Sequence, residues 1–241
     1  MADQRETVIN VLDGGSVALV ESTPNADLLC VNAARVSFAK KAKTLQPKDV
    51  ALINYLVKHR HDSPFRHAHV TFRIKAPEFV MRQWYKHVVG ISYSEGGSGM
   101  REVDHAWNEV SGRYIEYGDE FYHPASFRRQ SSDNKQATVD EPVAAETEAR
   151  ELYAESVRAA HDSYKKMLSL GVGREIARTV LPLSLYTEVI WTASLQAALN
   201  FVALRSHPNS QQEIQEYAGA VRDLLRAVAP AAVAAWEAHR A

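Results

Sequence analysis

The densest run of polar side chains in the sequence lies between Arg82 and Arg113. Arg82, Gln83, Lys86 and His87 close one segment. Asn108, Glu109, Ser111 and Arg113 open the next, with Ser94-Glu95-Gly96-Gly97-Ser98-Gly99 between them. Cationic and amide donors beside short Ser and Gly backbone suit a phosphate, which needs positive charge and convergent N–H groups. A solvated helix end followed by a polar loop has the same composition, so spacing alone leaves both readings open.

A second cluster is His59-Arg60-His61-Asp62-Ser63-Pro64-Phe65-Arg66-His67. Its histidines sit at a helix end and turn, without the spacing of a known metal site. No metal is expected, and the helix dipole accounts for histidines placed there. The third cluster is Arg178, Ser194, Gln196, Asn200 and Arg205. Ser194, Gln196 and Asn200 lie on an otherwise apolar helix, and such a stripe must find partners. A ligand or the neighbouring helices could supply them. Arg205 ends that helix, where a capping arginine would also be favourable. No P-loop, no GxSxG and no GxGxxG after a strand is present.

The whole chain has 241 residues, 46% of them hydrophobic and 24% charged. That is enough to bury a sizeable core in one or two domains. The formal net charge of -1 gives no basic excess for long nucleic acid. No stretch approaches a membrane span, and the first residues show no signal-peptide pattern. The single cysteine, Cys30, excludes a disulfide framework and fits a reducing cytoplasm. It stands in the apolar run Leu28-Leu29-Cys30-Val31, which suits a buried thiol better than a nucleophile.

The elements that would position these residues follow from periodicity. Residues 7–12 and 16–21 are β-branched runs around Asp13-Gly14-Gly15, a hairpin or two short strands. Helices are expected over 27–37, 47–59, 78–87, 146–170, 173–181, 195–205 and 211–228. Gly171 is a C-cap candidate. Residues 69–75 alternate as a strand, and 187–192 form a short β-branched run. Residues 119–142 are polar and read as a long surface connection. The fold class expected is α+β in one domain over residues 1–241, with a central, mostly antiparallel sheet flanked by long helices.

The order of these segments resembles the flavin-dependent thymidylate synthases, the ThyX family, from about Leu12 to Pro230. The resemblance is carried by Ala34-Arg35-Val36-Ser37, His61-Asp62-Ser63-Pro64-Phe65-Arg66-His67 and Phe72-Arg73-Ile74-Lys75-Ala76-Pro77-Glu78-Phe79-Val80-Met81-Arg82-Gln83-Trp84. Asn108-Glu109-Val110-Ser111-Gly112-Arg113-Tyr114, Asp133-Asn134-Lys135-Gln136, Arg174-Glu175-Ile176-Ala177-Arg178, Leu181-Pro182, Leu185-Tyr186-Thr187, Trp191-Thr192 and Gln212-Glu213-Ile214 continue it.

It implies a homotetramer with shared active sites where FAD, a uridine monophosphate and methylenetetrahydrofolate meet, with NADPH as reductant. Carried over by position, the cofactor contacts are Ser63, Lys86, His87, Val88, Glu109, Ser194, Gln196 and Asn200. The nucleotide contacts are Gln83, Lys86, Glu109, Ser111, Gly112, Arg113, Arg178 and Arg205. His61 and Arg205 take the catalytic places. The implied reaction is C5 methylation of dUMP to dTMP, the alternatives being a UMP methylase of nucleoside-antibiotic synthesis or a nucleotide-binding relative with weak activity.

Several positions depart from the family pattern. The signature that begins Arg-His-Arg is Lys86-His87-Val88 here, and lysine lacks the bidentate fork. Arg66 stands where glutamate is common; Ser194 and Gln196 stand where asparagine and arginine are common. Residues 88–108 form an insertion within the signature, either a tolerated surface loop or a lid that orders over substrate.

The implied chemistry agrees with the residues. Uracil C5 is a poor nucleophile that a thiolate at C6 could activate, and lone Cys30 is a weak candidate for one. A cation beside the pyrimidine, Arg205, would instead favour ionised N3 and raise electron density at C5.

Overall fold

The computed structural model describes residues 6–87, 106–135 and 137–240. In chain order the elements are β1 (Thr7–Val11), β2 (Gly15–Ser22), α1 (Ala26–Arg35), α2 (Pro47–Lys58), β3 (His69–Pro77), α3 (Glu78–Trp84) and β4 (Ala106–Glu109). They continue with β5 (Arg128–Gln130), β6 (Thr138–Pro142), α4 (Glu146–Ser169), α5 (Arg174–Ala177), β7 (Tyr186–Ser194), α6 (Leu195–Arg205), α7 (Gln212–Val228) and α8 (Pro230–Arg240). The architecture is α+β, as expected. One antiparallel sheet runs β1-β2-β3-β7-β4, and β5 and β6 make a separate hairpin.

The hairpin of β1 and β2 closes with Val11 opposite Gly15. Only glycine fits there: a Cβ on Gly15 would lie 1.8 Å from the Tyr217 hydroxyl and 2.8 Å from the Lys75 carbonyl oxygen. Alternation then sorts the faces of the sheet. Val70, Phe72, Ile74 and Ala76 of β3 point to the buried side, opposite Ala193, Trp191, Val189 and Thr187 of β7. Thr71 and Thr192 share a 2.9 Å hydrogen bond on the other face. Helices α1, α2, α6, α7 and α8 contribute to the core on the buried side. There Trp84 stacks on Phe201 at 4.2 Å and meets Trp191 edge-on at 5.6 Å.

Helix ends follow local chemistry. Pro47 opens α2, and Asp49 reaches back to accept from the Gln46 N–H at 2.8 Å. Asp49 is fully buried and paired with Arg35. After α4, Gly171 adopts φ +84, the left-handed conformation expected of it. Residues 173–181 were expected as one helix, yet α5 is a single turn followed by a 3-10 turn over Arg178–Val180. Pro182 forces Leu181 into an extended conformation, and the β-branched pair Thr179-Val180 disfavours further α-helix.

The expected surface connection over 119–142 contains β5 and β6, and Phe121 bridges to Leu185. Residues 106–109, partly within the expected insertion, are strand β4 paired with β7. The rest of that insertion, residues 88–105, lies outside the described residues, as does the lid reading placed on it.

Helix α8 has no counterpart among the expected elements. Its run Ala231-Ala232-Val233-Ala234-Ala235 has no polar face to reveal a period. A distant residue caps it. The Asp27 carboxylate accepts from the N–H of Ala231 at 2.8 Å and of Ala232 at 3.0 Å. Burial pushes the Asp27 pKa up, and these two donors pull it down. Asp27→Ala should cost about 2 kcal/mol, the upper end for a lost helix cap, because the donors it leaves are dry. Chemical denaturation measures this. A midpoint unchanged in Asp27→Ala would show that the cap does not hold α8 in place.

Candidate active site

The expected nucleotide residues fall into two groups. Glu109, Ser111, Arg113 and Arg178 line one cavity of about 640 Å3, together with Glu78, Tyr117 and Glu175. Gln83 and Arg205 line a second, of about 680 Å3, with His207, Asn209, Gln211 and Arg240.

In the first cavity Glu109 ends β4, beside β7. The buried Thr187 hydroxyl donates to its Oε1 at 3.0 Å, and Trp107 Nε1 donates to Oε2 at 3.4 Å. The turn after β4 folds onto Tyr117. Gly112 N–H donates to the Tyr117 hydroxyl at 3.2 Å, and a Cβ on Gly112 would lie 2.2 Å from that ring. Gly112 is thus required for close packing, and its N–H is taken by Tyr117 rather than open to a phosphate. Arg113 Nε donates to Ser111 Oγ at 3.3 Å. Ser111 Oγ is thus an acceptor for a guanidinium and for the Arg113 backbone N–H. Arg113 is exposed and Arg178 half-buried.

In the second group the C-terminal ends of α3 and α6 meet. Arg205 Nε donates to His87 Nε2 at 2.8 Å, and a terminal nitrogen donates to the Gln83 carbonyl at 3.2 Å. The Gln83 side chain donates to Gln211 at 2.7 Å. His87 is buried and sits edge-on to Phe201 at 5.2 Å. Burial first, and the Arg205 charge second, lower its pKa to about 4. Its Nε2 accepts a hydrogen bond, so the neutral ring carries its proton on Nδ1. Burial also lowers the Arg205 pKa.

The remaining expected cofactor residues gather at the other end of α6. Ser194 is its N-cap, accepting from Ala197 N–H at 3.2 Å, and is 1% exposed. Gln196 is also buried, and its Oε1 accepts from Arg66 Nε at 2.7 Å. Two of the three stripe residues are therefore satisfied within the chain. Two departures from the family pattern, at 66 and 196, are in direct contact. Ser63, in the same turn as Arg66, is exposed, as is Lys86; Asn200 is half-buried. Val88 lies outside the described residues.

His61 is exposed, with its ring parallel to Tyr55 at 6.1 Å. The neighbouring Asp62 pairs with Arg240. Among the described residues no group of three or more His, Cys, Asp or Glu side chains is placed to hold a metal. Nor is any described helix long and apolar enough to cross a membrane. Cys30 is wholly buried, and burial, followed by the Asp27 charge, pushes its pKa up to about 12. A thiol so placed supplies no thiolate at neutral pH.

The family described as thymidylate synthase complementing protein matches residues 18–231. A flavin-dependent thymidylate synthase of Thermus thermophilus is 41% identical over 231 residues, covering 96% of this chain and 78% of that protein. Another, of Thermosipho melanesiensis, is 39% identical and covers 91% of this chain and 89% of its own length.

The chain belongs to the flavin-dependent thymidylate synthase family.

A solved neighbour, the UMP/dUMP methylase PolB of Streptomyces cacaoi bound with 5-Br dUMP, superposes with a TM-score of 0.80. It is 28% identical, and the match covers 96% of this chain and 98% of that one. Glu78, Tyr117 and Glu175 also line the first cavity and were not among the expected contacts. Glu78 and Glu175 stand within runs that carry the resemblance, but nothing in the local pattern shows that they share a cavity with Glu109.

The His87–Arg205 contact can be tested by titration. Because the folded pKa lies below the ordinary value near 6.5, the unfolded chain binds this proton first on acidification. Neutral His87 therefore supports the fold fully above about pH 6.5, and that support is lost as the pH falls towards about 4. Nitrogen–proton NMR should show His87 neutral at pH 5.5 with the proton on Nδ1. An imidazolium signature at that pH would contradict the contact.

Proposed function

We propose that the chain methylates C5 of dUMP to give dTMP, with FAD as cofactor, methylenetetrahydrofolate as carbon donor and NADPH as reductant. The observation that carries this reading is the gathering of Glu109, Ser111, Arg113 and Arg178 in one cavity. Two guanidinium groups and a hydroxyl there suit a nucleotide monophosphate. The names of the relatives and the nucleotide analogue in the solved neighbour support the same substrate class.

Each side chain then has a definite task. Arg113 and Arg178 hold the phosphate. Arg205, pinned by His87 and the Gln83 carbonyl, presents a cation to the pyrimidine and favours ionised N3, which raises electron density at C5. Neutral His87 fixes Arg205 without adding a like charge. The buried Cys30 takes no part. For a flavin nucleotide the donor set fits: Lys86 is an exposed cation, Ser63 is exposed, and Asn200 of α6 is half-buried. By the resemblance, His61 takes a place near the flavin and the folate. When bound, reduced flavin supplies a hydride.

We infer a homotetramer with sites shared between copies. Arg178 and Arg205 line separate cavities of one chain, so a nucleotide that touches both types of residue needs a neighbouring copy. Exposed apolar side chains support this: Phe38 is 74% exposed, Tyr114 75% and Leu170 69%. A single reduced thiol suits work in the cytoplasm. A second reading keeps the chemistry and takes UMP, favoured by the solved neighbour being a UMP/dUMP methylase.

Arg178→Ala and Arg113→Ala should each weaken dUMP binding about ten- to a hundredfold, the worth of one charge-assisted hydrogen bond. Binding of deoxyuridine should change little. Direct titration of the purified protein measures both. Equal affinity of the parent protein for dUMP and deoxyuridine would contradict a phosphate site here. Methyl transfer assayed on dUMP and UMP in parallel should favour dUMP; faster turnover of UMP would select the second reading.

A further inference from the structure

Three carboxyl groups share the cavity with the two arginines: Glu78, Glu109 and Glu175 line it with Arg113 and Arg178. A site for a phosphate dianion is an unfavourable place for so many acids. Two of them are neighbours. Glu109 is fixed at the end of β4 by Thr187 and Trp107. Glu78 begins α3, and its N–H donates to the Leu185 carbonyl at 2.9 Å. The start of β7 thus holds both, and their side chains line the same cavity, near enough for Glu109 to act on the Glu78 carboxyl. Ionised carboxylates are acceptors only, so two of them side by side can bond to each other only through a shared proton.

We propose that Glu78 and Glu109 form a proton-sharing pair that gains a proton when a nucleotide phosphate enters beside Arg113 and Arg178, so that nucleotide affinity weakens as the pH rises. The proposal rests on the phosphate reading given above. It makes Glu78 a positioning residue, acting through Glu109 and Arg178.

The charged groups around the pair set the sign. Arg82 faces it from α3, Glu175 and Arg178 from α5 and the turn after it, and Arg113 and Tyr117 from the segment after β4. Burial and then Glu109 push the Glu78 pKa up, while Arg82 and Arg178 pull it down. A bound phosphate occupies Arg178 and adds negative charge, which strengthens the upward push and weakens the downward one. The pair therefore holds its proton to higher pH when nucleotide is bound. Between the free and bound pKa values, affinity falls by up to about tenfold per pH unit. The phosphate's own second ionisation, near 6, acts in the opposite sense and is common to the parent protein and Glu78→Gln, so the difference between the two isolates the pair.

The test is calorimetric titration of dUMP into the flavin-loaded protein from pH 5 to 9, in pairs of buffers with different ionisation enthalpies. The proposal expects proton uptake on binding within this range and a Kd that rises several-fold towards its alkaline end. Deoxyuridine, which lacks the phosphate, should bind without uptake. Glu78→Gln keeps a neutral hydrogen-bond donor to Glu109 and should lose both the uptake and the alkaline weakening. Normal dUMP binding with no proton uptake in the parent protein overturns the proposal and leaves the phosphate reading intact. Unchanged uptake in Glu78→Gln, or equal uptake with deoxyuridine, overturns it as well. Affinity no greater for dUMP than for deoxyuridine overturns the phosphate reading, and the pair's role with it.

Discussion

Nine consecutive residue pairs join β3 to β7, from His69 opposite Ser194 to Pro77 opposite Tyr186. This register places every candidate functional group. Helix α3 leaves the end of β3 at Pro77, and α6 leaves the end of β7 at Ser194, at the opposite end of the paired strands. The two helices approach one another beneath the sheet, where Trp84 of α3 stacks on Phe201 of α6. Their C-terminal ends then bring His87 to Arg205. On the other side of β7, β4 pairs so that Glu109 reaches Thr187, close to the start of α3 at Glu78. A slip of one residue between β3 and β7 would turn the core face of one strand, Phe72 or Trp191 with it, towards the other side of the sheet and undo both groups at once.

Burial decides what the polar side chains of this frame can do. Asp27 is held by two backbone N–H groups, Asp49 by Arg35, Gln196 by Arg66 and His87 by Arg205. Each of these contacts bridges segments distant in sequence or closes a helix end, and each removes a polar group that would be costly if left unpaired. Among the described candidate residues, those left to face a ligand include Arg113 and Arg178 in one cavity, Arg205 in another, and the exposed Ser63 and Lys86. That division accounts for a chain whose candidate groups do not converge on a single pocket, and for the expectation that copies complete one another.

The regular parts of this fold were legible because their periods are local. Alternation marks β3, the apolar stripe marks α2 and α7, and Asp13-Gly14-Gly15 marks the first turn. Helix α8 was not legible, since an alanine-rich run carries no face and its cap, Asp27, lies 204 residues earlier. The short strands β4, β5 and β6 were hidden for a related reason: they have few β-branched residues and form by pairing at an edge or with each other. Within the candidate site the arginines and Ser111 could be named from type and from the family pattern. Contacts between distant segments, such as Thr187 with Glu109 or Arg66 with Gln196, depend on packing that no local pattern encodes. Ser194 and Gln196 show the same limit, because their roles as cap and as partner of Arg66 are visible only once α6 is packed.

The central claim is that a flavin, held by a chain without a usable thiol, drives methylation of a uridine nucleotide bound between arginines. The most direct measurement combines flavin content with product formation. Purified protein, reconstituted with FAD where necessary, is supplied with dUMP, methylenetetrahydrofolate and NADPH, and dTMP is quantified by chromatography. The account predicts a yellow protein that forms dTMP only when all three substrates are present and that loses this activity when flavin is removed. A protein that binds no flavin, or a flavin-loaded protein that yields no dTMP under these conditions and no methylated product when UMP replaces dUMP, would contradict it.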